Sequence, residues 1–165
     1  MPEAHAADID RLYALPLEEF TRERDELAKR LRGNGDADAA ATVKALKKPS
    51  VAAWAVNQVQ RDRPDEVREL IEVTEELHRV YEKLSSAGAR ERLEEAAEMQ
   101  RKLIRSLVRC ASQLLEAGGH SPSDTTLGKV ADTLRAAALD DELRDRLARG
   151  RVVKEQRAAG LGPLG

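Results

Sequence analysis

"PDEVRELIEVTEELHRVYEKLSSAGARERLEEAAEMQRKLIRSLVRCASQLLEAGG", residues 64–119, is the stretch that decides the fold. Val67, Leu70, Thr74, Leu77, Tyr81 and Leu84 follow one another at spacings of three and four, the seven-residue rhythm of a helix hiding one stripe. After "SSAG" at 85–88 the rhythm resumes at Leu93. It runs through Ala96 or Ala97, Gln100, Leu103, Leu107 and Cys110 to Leu114. Two long helices joined by so short a turn fold back as antiparallel neighbours. The expectation is an all-α helical bundle built around a long antiparallel hairpin at about 65–117, with shorter N- and C-terminal helices.

Composition agrees with that class. Of 165 residues, 41% are hydrophobic and 35% charged, the balance of a folded and well-solvated chain. There are only one Phe, one Trp and two Tyr, so the core must be filled by Leu, Val and Ala. Ala is the best helix former, and small side chains let helices approach closely. Residues 1–150 read as one helical domain, and 151–165 as a basic, then Gly- and Pro-rich, tail.

Upstream of the hairpin, "LYALPLEEFTRERDELAKRLRGNG" at 12–35 carries Leu17, Phe20, Leu27 and Leu31 on one face, with Arg24 interrupting the stripe. Gly33 or Gly35 supplies the left-handed stop. A second helix starts at Asp36 and is expected to continue to Lys48, where Pro49 disfavours helical geometry in the residue before it. Either Ser50 caps the next helix or Pro49 takes its first position. There Val51, Ala52, Ala55, Val56 and Val59 share one side, Asn57, Gln60 and Arg61 lie opposite, and Trp54 is at the border. Downstream, Ser121 or Ser123 caps a helix bearing Leu127, Val130, Ala131, Leu134 and Ala138. Asp140 begins a shorter one that Gly150 ends.

Several chemistries find no residues to carry them. His5, His78 and His120 are scattered and Cys110 is the lone cysteine, so no metal site is expected. Cys110 reads as a small core residue in an apolar run. Neither phosphate-loop spacing nor a dinucleotide fingerprint occurs, and no cofactor is expected. The many carboxylates fall on outer helix faces, whereas an acid–base catalyst needs burial and a partner. No apolar run of membrane-spanning length and no leader pattern is visible, which makes the cytoplasm the expected compartment and a membrane partner unexpected.

Charge is distributed unevenly. From Asp65 to Glu98 there are eleven acids and five bases, a net of −6. From Lys44 to Arg63 there are five bases and one acid, a net of +4. The order helix, tight turn, Ser, small residues, Trp, Asn loosely resembles a helix-turn-helix. In that arrangement Ser50, Asn57 and Arg61 would face a duplex while Lys44, Lys47 and Lys48 touch phosphates. The structural alternative makes Pro49 a corner, Trp54 a gap filler, and the lysines partners of a helix C-terminus. A second basic cluster, "RGRVVKEQR" at 149–157, has the same two readings.

"LYALPLEEFTRERDELAKRLR", "VKALKKPSVAAWAVNQ" and "TLRAAALDDELRDRLARGRVVKE" are similar to a family of uncharacterised all-helical bacterial proteins, mostly from high-GC genomes. The resemblance implies that Lys48, Pro49, Trp54 and Asn57 belong to a family signature, and it brings no catalytic residue. Members of that family continue into an Ala-, Arg- and Glu-rich helical region, whereas this chain stops at Gly165.

The leading functional expectation is a non-enzymatic scaffold, adaptor or self-associating domain acting through protein contacts, with no small-molecule ligand. The alternative is a nucleic-acid-associated protein using Lys44, Lys47, Lys48, Ser50, Asn57 and Arg61. A third, an enzyme, requires a pocket between helices where Trp54, Asn57 or Tyr81 meets a buried carboxylate.

Overall fold

A computed structural model describes residues 5–157. Eight α-helices and no strand occur among them: α1 (Ala6–Ala14), α2 (Phe20–Gly33), α3 (Ala37–Lys44), α4 (Val51–Asp62), α5 (Pro64–Glu82), α6 (Ala89–Ala117), α7 (Asp124–Ala137) and α8 (Asp141–Ala148). The chain is all-α. A short 3-10 turn, Leu17–Glu19, leads into α2. Four helices begin where a side-chain oxygen accepts an otherwise orphaned backbone N–H: Asp36 from Ala39, Ser50 from Ala53, Ser123 from Thr126, and Asp140 from Leu143. Ser50, not Pro49, is therefore the cap of α4.

The hairpin forms as the rhythm predicts, with α5 and α6 antiparallel. Its register is pinned by rungs that climb one helix while descending the other. Ser106 Oγ–H donates to Glu66 at 2.7 Å and Gln100 Nε2–H to Thr74 Oγ1 at 3.0 Å, while below them Cys110 Sγ–H reaches Asp62, the last residue of α4, at 3.3 Å. Gly88, at φ 74°, supplies the left-handed residue that lets α6 start.

The seam departs from expectation at both ends. At the end of α5, Val80 is buried while Tyr81, and Leu84 in the turn that follows, are 62% and 47% exposed. Near the turn the two helices have only each other for cover, and a lone pair buries a narrow strip. At the other end α6 touches α4 and α7 as well as α5. Its buried stripe widens there to include Ile104, Ala111 and Leu115, while Leu114 is half-buried.

Two apolar clusters organise the body. The larger takes side chains from α4 to α8 and from Val152; the smaller joins α1, α2 and α3 through Ile9, Leu12, Tyr13, Phe20, Leu27, Leu31 and Val43. The Tyr13 and Phe20 rings meet edge to face at 5.2 Å in the smaller one. α4 sits between the clusters. Six consecutive residues, Ala52 to Asn57, are buried together with Val59, so α4 has cover on every side along that stretch. Of the expected polar face of α4, Asn57 is buried and Gln60 and Arg61 are half-buried, and the bundle is built around α4 as much as around the hairpin. Ala52, Ala53 and Ala55 are what permit so close an approach.

Residues 151–157, expected as the start of a tail, are laid across the domain as a strap. Val152 is buried, and its peptide exchanges two hydrogen bonds with the Asn57 amide: Asn57 Nδ2–H donates to Val152 O at 2.9 Å, and Val152 N–H to Asn57 Oδ1 at 2.8 Å. Ser50 N–H donates to Val153 O, and Gln156 N–H to the buried Thr133 hydroxyl. Residues 158–165 of the expected tail lie outside the described residues. No helix among the described residues is long and apolar enough to cross a membrane.

Asn57→Ala removes both partners of the buried Val152 peptide and leaves its N–H and C=O unpaired. The expected loss is about 2–5 kcal/mol, read as a lower urea midpoint with an unchanged slope. A loss within about 0.5 kcal/mol, the level of an ordinary surface change, would show that this pair does not hold the strap.

Candidate functional site

The stretch from Lys44 to Arg63 is where the sequence concentrated its candidates, and most of them serve the fold. α3 ends at Lys44, four residues earlier than expected, so Lys47 and Lys48 lie in the linker rather than at a helix C-terminus. The early stop has a cause in Arg24, the residue that interrupted the α2 stripe. Its Nη1–H donates to Leu46 O at 2.9 Å and holds the linker away from helical geometry. Arg24 and Lys44 both reach Asp25, and the Lys44 ammonium at 2.8 Å is the main reason its carboxyl lies below the usual range.

Ser50, Trp54, Asn57 and Arg61 all face inward. The Ser50 hydroxyl accepts from Ala53 N–H and donates to Glu155 of the strap. Trp54, 7% exposed, donates its indole N–H to Leu15 O at 2.9 Å and packs against the His120 ring at 5.4 Å between centroids. A Cβ at Gly118 would stand 2.8 Å from Trp54 Cη2, so the end of α6 must be bare for the indole to fit. Gln58 Nε2–H donates to Tyr13 O at 2.8 Å. Arg61 reaches Tyr13 O, Asn57 O and Asp10 O, and burial lowers its pKa from the ordinary value.

Trp54, Gln58 and Arg61 recur at spacings of four and three, one face of a helix. That face supplies donors to the carbonyls of Leu15 and Tyr13, at and just past the C-terminal end of α1 where helix carbonyls lack an intrahelical partner, and a further one to Asp10 O. The helix-turn-helix arrangement is thus not the one present: α3 belongs to the smaller cluster, and the would-be reading helix is interior. Pro49, itself buried, forms the corner between them. Of the eight candidates, only Lys44, Lys47 and Lys48 are exposed, and Lys44 is paired.

The second basic cluster tells a related story. Arg151 pairs with Asp10 at 2.6 Å, while Glu155 receives Ser50 and Lys129. Yet the strap also brings this cluster beside the first one. Between the α3–α4 linker, α8 and the strap lies an open groove of about 760 Å³. Its floor includes Tyr13, Leu46, Leu143, Val152 and Val153, and Lys47, Arg146, Arg149, Arg151 and Lys154 stand in its walls against Glu142 and Asp145. Five bases oppose two acids there. Lys47 and Lys154 make no ion pair among the described residues; Arg146 and Arg149 pair with Glu142 and Asp145 one helical turn away. Arg146 gave no signal in the sequence, because only the fold sets it beside Lys47.

Elsewhere the chemistry is muted. Cys110 is buried and its thiol is pushed up to about 11, first by burial and then by the Asp62 carboxylate that accepts its proton. His120 Nε2 lies 3.0 Å from Glu18 Oε1, close enough for an ion pair when protonated but without hydrogen-bond geometry. No group of three or more His, Cys, Asp or Glu side chains able to hold a metal occurs among the described residues. Comparison with protein-family models, with curated proteins and with solved structures returned no match.

Glu155 carries a pH signature. Its carboxyl is held below the usual range, first by the Ser50 hydroxyl and also by Lys129. A carboxyl with a lower pKa folded than unfolded stabilises the fold at neutral pH, and that contribution fades as pH falls through the folded value. Glu155→Gln is therefore expected to lose less thermal stability on acidification than the parent chain. Identical dependence in melting curves taken from neutral to acid pH would remove Glu155 from the strap's anchorage.

Proposed function

We propose that the chain is a non-enzymatic helical scaffold domain that self-associates through the outer half of its α5–α6 hairpin. One observation carries the reading. Tyr81, Leu84 and Met99 are 62%, 47% and 48% exposed, and all three lie on that outer half. Elsewhere among the described residues the one other exposed large hydrophobic is Leu139, at 39%. Ser50, Asn57 and Arg61, which looked like chemistry in the sequence, are occupied in holding the body together, which leaves the hairpin as the surface with apolar area to spare. Scattered exposed apolar residues are ordinary, whereas a concentration on one projecting element is what an interface requires.

A second reading, association with nucleic acid, keeps support from Lys47 and Lys48, which are exposed and unpaired among the described residues. With Asn57 and Arg61 turned inward it retains phosphate contacts and no means of reading bases, so such binding would be sequence-blind and steeply salt-sensitive.

Sedimentation equilibrium from micromolar to near-millimolar protein tests the proposal. The expected result is an average mass that rises with concentration above that of one chain. Tyr81→Ser combined with Leu84→Ser should abolish the rise with little change in melting temperature, since both are exposed side chains. A chain that stays monomeric throughout, or association indifferent to these two residues, defeats the reading.

A further inference from the structure

The geometry points to the basic groove between the α3–α4 linker, α8 and the strap as the docking site for the hairpin of a second copy of this chain. This inference rests on the self-association proposed above and names the surface that receives the hairpin.

The argument begins with charge. Residues 65–98 hold eleven acids and five bases. Two hairpins laid side by side would face acid with acid, an arrangement that costs rather than stabilises. Glu91, Glu94 and Glu95, on the first turns of α6, are exposed and make no ion pair among the described residues. The groove is the complementary surface: five bases against two acids, with Lys47 and Lys154 unpaired among the described residues. Its floor is apolar where Leu46, Val152 and Val153 line it, so it offers cover to a projecting apolar side chain as well as charge to an acidic one.

The chain's own hairpin does not serve. Arg144 of α8 reaches Glu75 on α5, which fixes the side of α8 that faces the hairpin. At 100° per residue, Glu142 and Arg146 stand about 160° around α8 from Arg144, and they line the groove with Leu143 and Asp145 on its flanks and Arg149 just past the helix end. The groove and the hairpin therefore lie on opposite sides of α8. Contact between them joins separate copies, head to tail, and can propagate or close into a ring. The groove also favours an acidic protein segment over a single-stranded nucleic acid. The one aromatic side chain lining it, Tyr13, is buried in the floor with its ring against Phe20, so bases would have nothing to stack upon.

A charge-swap experiment on the whole chain tests this. One variant carries Lys47→Glu, Arg149→Glu and Lys154→Glu; the other carries Glu91→Lys, Glu94→Lys and Glu95→Lys. Circular dichroism and melting confirm that each is folded. Each alone is expected to associate at least roughly tenfold more weakly than the parent in low salt, because like charges now meet. Mixed together they should associate again, since every groove then finds a hairpin of opposite sign. If the parent self-associates but the groove variant matches it, the groove inference falls while the hairpin reading stands. Weakening that mixing does not restore also overturns it, because the two surfaces then do not meet. A monomeric parent overturns both. Duplex DNA bound through Lys47 and Lys154, with self-association untouched by the groove substitutions, counts against the groove as a hairpin site.

Discussion

The structure depends on an interior helix that keeps its polar atoms busy. A helix with cover on every side ordinarily carries only apolar residues, since an unpaired amide or guanidinium in the interior is costly. α4 carries Trp54, Asn57, Gln58 and Arg61 into the body, and each is matched to a backbone group that needs it. The Asn57 amide closes a two-bond exchange with the Val152 peptide. The other three supply donors to the carbonyls at the end of α1. The arrangement is reciprocal: α1 and the strap lack partners for their backbone, and α4 lacks partners for its side chains. Neither condition is tolerable without the other.

This reciprocity joins the two apolar clusters. The smaller cluster is modest, and its helices α2 and α3 lean chiefly on each other. What connects it to the rest is α1 lying against α4, with Arg151 of the strap fastened to Asp10. Arg61 stands where these paths cross. Its guanidinium lies against Gly150, where a Cβ would approach within 2.8 Å and where φ is +67°. A glycine there both ends α8 in a left-handed turn and makes room for the arginine. Sequence segments nearly a hundred residues apart are thereby held in one geometry.

How much of this was legible follows from physics. The hairpin could be read because its pattern is local: hydrophobic spacing reports on a helix's own faces, and turn residues report on its ends. The helix starts at Asp36 and Asp140 were open to the same reading for the same reason, whereas Ser50 competed with Pro49 and Ser123 with Ser121 until the fold chose between them. What stayed hidden was everything set by a distant partner. Asn57, Gln60 and Arg61 have the composition of a solvated face, and nothing in the chain before the fold forms says that Val152 waits for Asn57. The strap hid likewise, because "RVVKEQR" has neither helical nor alternating pattern and its order comes from distant partners in α1, in α4 with its cap Ser50, and in α7. Arg24 did leave a trace, a charge at an apolar register position. Its role became visible only with Leu46 O beside it. The groove was visible only as two separate basic clusters, at 44–63 and 149–157, and nothing in the chain says that they meet, since the whole hairpin lies between them.

The contrast between body and hairpin also orders the molecule's stability. Around α4, long-range hydrogen bonds and apolar contacts from five helices and the strap fall on the same few residues, so local opening there must break several of them at once. The outer hairpin has one partner helix, a narrow buried strip and a six-residue link from Lys83 to Gly88. Regions with few buried contacts open at the lowest free energy, and elements that change partners are drawn from them. Chain entropy and charge act together at this tip: repulsion among its carboxylates discourages tight closure, and exposed Tyr81 and Leu84 gain by burial against another surface. A rigid body that presents a charged, incompletely buried arm is suited to association that is adjustable by salt and concentration. The small aromatic content supports the same division of labour. With Ala and Val allowing α4 its close neighbours, the body needs no large rings at its surface, and of the two tyrosines one is locked against Phe20 while the other, Tyr81, stands out on the arm.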